Sequence, residues 1–413
     1  MPEITAVRGF KDILPDQIPL WRLVEDKARD LARRFGYLEL RAPVLERTEL
    51  FARGIGETTD IVEKEMYTME DRSGDKITLR PEATAGLVRA VLEHSLATSG
   101  RPTRLFCLGP MFRYERPQKG RQRQFHQLDV EVFGDPGPHI DAEVISLLCA
   151  FLTELGLTDV SIQLNSLGCP KCRPIFREKL TSFLKAHEPN LCPDCQKRLI
   201  RNPLRVLDCK VEACQAIAAN GPDMSECLCP ECQDHLAVVT DSLGSVGLRY
   251  VLNNRLVRGL DYYARTTFEV HSGYLGAQSA VAGGGRYDGL CRQLGGPDLP
   301  GVGFAVGLER LIMILAQTQK LESLGPDYYL AALAPETLGP AFKLAHQLRL
   351  RGLSVEADWE PGSLKSRLKR ADRLGALKVI MLGPDELANN QVTVRNLVTK
   401  EQTILPLTEI NLF

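Results

Sequence analysis

Residues Phe112 to Phe133 read FRYERPQKGRQRQFHQLDVEVF, and no other stretch constrains the fold as tightly. They predict a strand, a very basic loop and a second strand, which together make a hairpin. The loop carries Arg116, Lys119, Gly120, Arg121 and Arg123 with almost no acid to offset them. Side chains alternate along a strand, so Gln127, Asp129 and Glu131 share one face of the return strand. Cations at the mouth and carboxylates along the floor suit an anionic substrate joined to one that is cationic or donates hydrogen bonds. The alternative is an exposed hairpin whose charges are merely solvated.

Four further segments carry unusual chemistry. They are Thr78 to Thr84 (TLRPEAT), Leu256 to Glu269 (LVRGLDYYARTTFE), Ala282 to Gly289 (AGGGRYDG) and Gly301 to Leu311 (GVGFAVGLERL). Taken in order with the hairpin, they resemble the motifs of class II aminoacyl-tRNA synthetases. RGLDYY with GGGRYD is similar to the histidyl-tRNA synthetase family in particular, and the likeness extends from RGFKDILP at Arg8 to the last strand. The resemblance implies an α+β class II synthetase catalytic domain on an antiparallel sheet, with a Cys-rich insertion and a C-terminal α/β anticodon-binding domain. It implies a homodimer that activates L-histidine with ATP to histidyl-adenylate and pyrophosphate. Histidine then passes to the 3′ end of tRNA(His).

Bulk properties agree. A chain of 413 residues predicts two to three domains at roughly 150 residues each. It is 44% hydrophobic and 25% charged, ordinary for a globular protein with a large core. Its net charge of −1 requires nucleic-acid contacts to come from local basic patches. No apolar run approaches the roughly 20 residues of a membrane span, and the N-terminal residues lack a signal-peptide core, so a cytoplasmic location is expected.

Periodicity predicts a helix from Ile18 to about Phe35, with Trp21, Val24, Ala28, Leu31 and Ala32 on one side. Gly36 to Leu45 reads as a turn into a strand. The resemblance assigns this helix, this strand and Pro43 to a dimer interface. A helix from His139 to Gly156, a strand from Ser161 to Asn165 and a helix from about Leu308 to Gln319 follow. Gly325-Pro326 marks a boundary. Expected domains are 1–167 and 241–325 for the two catalytic parts, 168–240 for the insertion and 326–413 for the anticodon-binding domain. In the last, YYLAAL, Pro340 to Arg351, SVEAD, Lys365 to Leu374 and KVIML alternate strand and helix, which predicts a largely parallel sheet. The stretch around its second helix, GSLKSRLKRADRLGALK, carries six basic residues against one acid.

Nine of the twelve cysteines fall in the insertion, six of them in the pairs CPKC, CPDC and CPEC. In a cytosolic chain such pairs more often bind zinc than form disulfides. Two knuckles complete a tetrahedral structural Zn2+ site, for which Cys192, Cys195, Cys229 and Cys232 are favoured without excluding Cys169 and Cys172. Reduced, buried thiols are the alternative. By the resemblance, the basic stretch Lys197, Arg198, Arg201 and Arg205 is expected to reach tRNA phosphates, as the family's insertion does.

Activation joins two anions, so cations must already stand where charge develops. No GxxxxGK[ST] occurs, and GVGFAVG has the spacing GxGxxxG, so neither a P-loop nor a dinucleotide fingerprint is read. By resemblance, the catalytic pair is Arg113, facing the α-phosphate and attacking carboxylate, and Arg258, across the α-phosphate where other class II enzymes place a metal. Arg310 is expected to hold the γ-phosphate, completing an ATP site of Arg113, Glu115, Arg258 and Arg310. Guanidinium suits these places because its planar fork bonds two oxygens and keeps its charge. Mg2+ would bridge the β- and γ-phosphates, helped by Glu115 and nearby acids.

The resemblance places Glu82, Ala83, Thr84 and Gln127 around the amino acid's α-amino and carboxylate groups. Glu131 is expected to accept from the imidazole ring and Tyr263 to meet the other nitrogen, with Tyr262 and Gly283, Gly284 and Gly285 closing the pocket. Ala83 stands where glycine is usual in the family, and Asp129 where a small residue is frequent. No residue is an evident general base for transfer to tRNA, and a phosphate oxygen of the adenylate is the candidate. The rival reading is the histidine-binding regulatory subunit of ATP phosphoribosyltransferase, which shares the catalytic fold. It generally lacks the C-terminal domain and departs at the ATP-gripping arginines, whereas Arg113, Arg258 and Arg310 are all present here.

Overall fold

The computed structural model describes residues 3–56, 59–97, 100–260, 262–273, 280–318, 325–360 and 362–407. Asp261 of the RGLDYY segment lies outside them. The chain forms two compact units, Met1–Lys320 and Leu321–Phe413, close to the expected boundary at Gly325-Pro326.

The first unit begins α1 (Ile18–Arg34), β1 (Leu38–Glu39), β2 (Leu45–Arg47), α2 (Thr48–Ile55), β3 (Tyr67–Glu70), β4 (Lys76–Leu79) and α3 (Thr84–Glu93). The hairpin β5 (Thr103–Phe112) and β6 (Gln124–Phe133) follows, then α4 (Pro138–Glu154) and β7 (Val160–Ser166). Next come the insertion helices α5 (Cys172–Ala186), α6 (Pro193–Arg201), α7 (Glu212–Ala219) and α8 (Pro230–Ser245). The chain returns through β8 (Tyr250–Leu252), β9 (Ala264–Ser272), β10 (Ala280–Arg286), α9 (Leu290–Gln293), β11 (Gly301–Gly307) and α10 (Leu308–Thr318).

Eight strands form one sheet in the order β1-β5-β6-β11-β10-β9-β7-β8. Its six central strands pair antiparallel, and only the short edge strands β1 and β8 join in parallel. The five residues that periodicity placed on one side of α1 are all buried. They join side chains of α4, α10 and the sheet in the main apolar core. The strand expected after Gly36 is only two residues long and exposed. Position 240, the expected end of the insertion, falls inside α8. That helix is shared: Cys232 at its start packs with the insertion, while Val239 and Leu243 pack in the main core.

Two glycines let the middle of the sheet close. A Cβ on Gly284 of β10 would lie 2.1 Å from the Gly303 carbonyl oxygen, and one on Gly303 of β11 would lie 1.7 Å from Glu131 Oε2. Neither position can hold a side chain without moving backbone or a buried carboxylate.

The second unit runs β12 (Tyr328–Ala332), α11 (Leu338–Leu350), β13 (Val355–Ala357), α12 (Leu364–Arg373), β14 (Lys378–Leu382), α13 (Pro384–Ala388), β15 (Gln391–Asn396) and β16 (Gln402–Pro406). Its sheet order is β13-β12-β14-β15-β16. The first three strands are parallel, as expected. β15 and β16 add antiparallel pairs, so the sheet is mixed rather than largely parallel. β14 reaches β15 through α13 and Asn390, and a short link through Lys400 joins β15 to β16, both turning residues having positive φ; short links join antiparallel strands. Of the basic residues on α12, Arg367 is buried against Asp358 and the Glu360 carbonyl, and Arg370 Nε lies 2.8 Å from Asp358. No described helix is long and apolar enough to cross a membrane.

Candidate active site

A cavity of about 300 Å³ opens on the sheet, walled by the β5–β6 hairpin, β9 to β11 and the segment before β9. Gln127, Asp129 and Glu131 all line it, as strand alternation requires. Glu82 enters from the start of α3, where its carboxylate accepts the N–H groups of Thr84 (3.0 Å) and Ala85 (2.8 Å). This is the favourable place for an anion, since first-turn N–H groups lack helical partners. Glu82 and Thr84 face the cavity, but Ala83 between them does not line it: its side chain turns into an apolar cluster with Leu87 and Tyr287. Successive residues at a helix start point in different directions.

Glu131 is held from both sides. Thr84 Oγ1 donates to its Oε1 at 2.6 Å, and the Tyr287 hydroxyl donates to Oε2. Burial drives Glu82 upward in pKa and Asp129 and Glu131 well above the ordinary carboxylate range, with Glu82 adding to the effect on Asp129. Gln127 Oε1 and Asp129 Oδ2 are buried with no hydrogen-bond partner among the described residues. Three carboxyl groups and two orphaned acceptors form a recess suited to a cation with several N–H donors.

Arg113, Arg258 and Arg310 line the same cavity. Arg113 donates Nε to the Pro81 carbonyl at 2.8 Å, and its guanidinium lies 5.3 Å from the Phe125 ring centre. Arg258 pairs with Glu269 at 2.5 Å and lies 5.5 Å from the centre of the Tyr263 ring. Gly283 makes room for it, since a Cβ there would come 2.4 Å from Nη1. Arg310 donates to the carbonyls of Ala280 (2.7 Å) and Gly120 (3.3 Å), and burial, then the neighbouring Arg121, pulls its pKa down. Glu115 also lines the cavity and accepts from Arg121 at 2.9 Å. Tyr262 and Tyr263 are buried side by side, and the Tyr262 hydroxyl lies 3.5 Å from Glu82.

Sequence reading left three supports unassigned. Tyr287 stood inside GGGRYDG and Glu269 inside TTFE, but nothing local reveals that they hold Glu131 and Arg258. Arg286, wholly buried, reaches Asp141 through Nε (3.0 Å) and the carbonyls of Asp135 and Gly137 (both 2.9 Å), and Asp141 also meets His235 Nε2 at 2.8 Å.

The cysteines gather differently from expectation. Cys169, Cys172, Cys229 and Cys232 form one group, and Cys192, Cys195, Cys209 and Cys214 another, the sulfurs of each lying within 4.8 Å of one another. Cys192 and Cys195 therefore do not share a site with Cys229 and Cys232. The chain through α5 to α7 returns the first knuckle to the last at the start of α8, while the segment from α6 to α7 closes the other group locally.

Comparisons with known proteins agree with this geometry. A histidyl-tRNA synthetase family model matches residues 9–171 and 210–311, and an anticodon binding domain model matches 327–411. The histidine–tRNA ligase of Solidesulfovibrio magneticus is 52% identical over 98% of this chain and 97% of its own length. That of Geobacter metallireducens is 49% identical over 97% and 96% respectively. A crystal structure of apo S. aureus histidyl-tRNA synthetase superposes with a TM-score of 0.84 at 34% identity, covering 99% of this chain and 98% of that one. Matched along both units and across the whole sheet that carries the cavity, the chain belongs to the histidyl-tRNA synthetase family.

Proposed function

We propose that the chain works as a histidine–tRNA ligase whose cavity holds the amino acid by its cationic end and ATP by its phosphates. The observation that carries this is the pair of orphaned acceptors, Gln127 Oε1 and Asp129 Oδ2, beside Glu82 in a cavity that three arginines also line. An α-ammonium group brings the N–H donors those acceptors lack, and its charge offsets the carboxylates that burial disfavours.

Thr84 joins Glu82 and Gln127 around the α-amino end. Glu131 directs the ring: each of its oxygens already accepts one hydrogen bond, and a carboxylate oxygen has a second site left for an imidazole N–H. Tyr263 meets the other ring nitrogen and Tyr262 closes the recess. An amino acid lacking those ring groups leaves buried polar atoms unpaired, which is the stronger form of discrimination.

Arg113 steadies the attacking carboxylate and the α-phosphate, Arg258 takes the developing charge across the α-phosphorus, and Arg310 holds the γ-phosphate. Glu269 keeps the Arg258 guanidinium in one orientation before reaction, so less reorganisation is needed as charge develops. ATP and Mg2+ are common to class II synthetases. Glu115 is the cavity carboxylate nearest to hand for the Mg2+ that would screen the β- and γ-phosphates.

The second unit takes the anticodon arm of tRNA(His), with the exposed basic residues of α12 toward the RNA. A homodimer forms through the α1–β1 region, supported by the exposed apolar side chains Leu38, Val44 and Leu45. The working place is the cytoplasm. The domain plan keeps 1–167 and 241–325 for catalysis, 168–240 for the insertion and 326–413 for the anticodon, with α8 bridging the first two. Structural zinc belongs to the insertion and takes no part in the chemistry.

The deciding experiment is exchange of labelled pyrophosphate into ATP, run with each of the twenty amino acids and no tRNA. Exchange with histidine alone is expected. Histidine binding without exchange would move the chain to the regulatory reading and leave the arginines without a task.

A further inference from the structure

Half of the buried apolar cluster within the insertion is thiol: seven of its fourteen residues are cysteines. A core this thin normally needs a covalent or metal staple. The sulfurs are not placed for disulfides, which require about 2.05 Å. Cys169 and Cys172 stand 3.6 Å apart, Cys169 and Cys229 3.9 Å, and Cys192 and Cys209 3.9 Å. Four sulfurs around one zinc at about 2.3 Å would be separated by about 3.8 Å along each tetrahedral edge. Eight of the nine insertion cysteines converge in these two groups, and only Cys227 stays outside.

The backbone is arranged for anionic sulfur. Cys229 N–H donates to Cys172 Sγ (3.1 Å), Cys192 N–H to Cys214 Sγ (3.2 Å), Lys171 N–H to Cys169 Sγ (3.4 Å) and Val211 N–H to Cys209 Sγ (3.5 Å). Cys192 caps the N-terminus of α6, Cys229 caps α8, and Cys172 opens α5.

We propose that the insertion is a two-zinc module, with one ion in each cysteine quartet, and that the ion at Cys169, Cys172, Cys229 and Cys232 positions the histidine pocket. This second part rests on the pocket reading above. Beside that quartet, Gly168 accepts the Arg265 N–H at 2.9 Å, Leu167 N–H donates to the Arg265 carbonyl at 2.7 Å, and Arg173 Nη1 donates to the Tyr263 carbonyl at 3.0 Å. The knuckle is thus bonded to the segment that presents Tyr263. Its other half begins α8, whose His235 binds Asp141 and, through it, Arg286 at the end of β10. The second quartet has a different place. It holds α6, from which Arg201 meets Glu63 (3.1 Å) and Arg198 meets Asp60 (3.5 Å), and neither bond reaches the backbone of Tyr263.

The S4 donor set admits iron as well as zinc. Zinc is assigned because a structural role asks for no change of oxidation state. Elemental analysis of the purified full-length chain, dialysed against a weak chelator, should find two zinc ions per chain and no stoichiometric iron. Cys232→Ser and Cys214→Ser should each retain one. In the pyrophosphate exchange assay, Cys232→Ser should raise KM for histidine about ten- to a hundredfold through a displaced Tyr263, with a much smaller change in kcat. Cys214→Ser should leave that KM in place. If a serine variant does not fold, the unaltered chain still decides: eight further cysteines should become reactive to a thiol reagent once a strong chelator releases two zinc ions.

One zinc per chain, none, or iron in its stead would overturn the two-zinc assignment. Two zinc ions with an unchanged histidine KM in Cys232→Ser would overturn the positioning role. Two zinc ions with no exchange activity would instead refute the catalytic reading and leave the metal sites standing.

Discussion

Replacing Tyr287 with phenylalanine removes one hydroxyl and keeps the ring. The ring is 1% exposed and packed against the neighbouring strand so closely that a Cβ on Gly301 would come within 2.3 Å of it. Phenylalanine fills the same space, so the change isolates the hydrogen bond to Glu131 Oε2. A hydrogen bond to a charged group contributes about 1.5–3 kcal/mol, or roughly ten- to a hundred-and-fiftyfold at about 1.4 kcal/mol per decade.

That loss falls on the carboxylate form of Glu131. Burial already raises its pKa, and Thr84 and Tyr287 oppose the rise by donating to it. Without Tyr287 the pKa climbs further, so more of the enzyme carries a protonated Glu131 at neutral pH. In pyrophosphate exchange, kcat/KM for histidine should fall by the factor above. The acid limb of its pH profile should move to higher pH, and the deficit should narrow as the medium becomes alkaline. A lower melting temperature with an unchanged KM and an unmoved acid limb would refute the role given to Glu131 and leave Tyr287 as packing.

Adjacent glycines of β10 should respond in opposite ways. Gly283→Ala meets the Arg258 guanidinium rather than backbone and should fold normally while losing about 10²–10³ in kcat, whereas Gly284→Ala meets the backbone of β11 and should melt far below the parent. Arg310→Gln should raise KM for ATP and leave histidine affinity, measured by calorimetry without nucleotide, unchanged. Asp141→Asn leaves the buried Arg286 cation with the part-exposed Asp288 carboxylate at 3.0 Å, at a cost below the about 3–5 kcal/mol of a fully unpaired charge, readable as a lower urea midpoint. Burial works to raise the Asp141 pKa, but its bonds to His235 and Arg286 win and hold it below the ordinary carboxylate value. Its stabilisation is therefore complete above the unfolded pKa of about 3.9 and lost as pH falls through the lower folded value. Acid unfolding of the asparagine variant should lack that component.

Local patterns revealed what local physics decides. The apolar stripe of α1 follows from a 3.6-residue period, and the shared face of Gln127, Asp129 and Glu131 from a period of two. Neither depends on distant residues. The cysteine pairing could not be read, because any two CPxC knuckles satisfy a tetrahedron on paper. The choice is made by helices that return Cys229 to Cys169 across 60 residues. Tyr287 was equally silent: a tyrosine after GGGR is ordinary until β10 and β11 bring it to Glu131. Ala83 was placed by its neighbours in the motif, yet the turn into α3 sends its side chain the other way. The antiparallel end of the second sheet was missed because VTVRN and QTILP are short and half exposed.

The pairing of β7 with β8 has an evolutionary consequence. These strands are parallel neighbours, with Ile162 beside Tyr250, and everything between them is one crossover. Parallel neighbours cannot be joined by a tight turn and need about a dozen residues or more, usually a helix, which α8 supplies. The stretch from α5 to α7 is then a cassette whose length the sheet itself does not fix, since α8 alone satisfies the crossover. The family model skips residues 172–209, inside that cassette, and resumes before α8. Changes of length are thus directed to the face that carries the clustered cysteines, while the sheet beneath keeps its register.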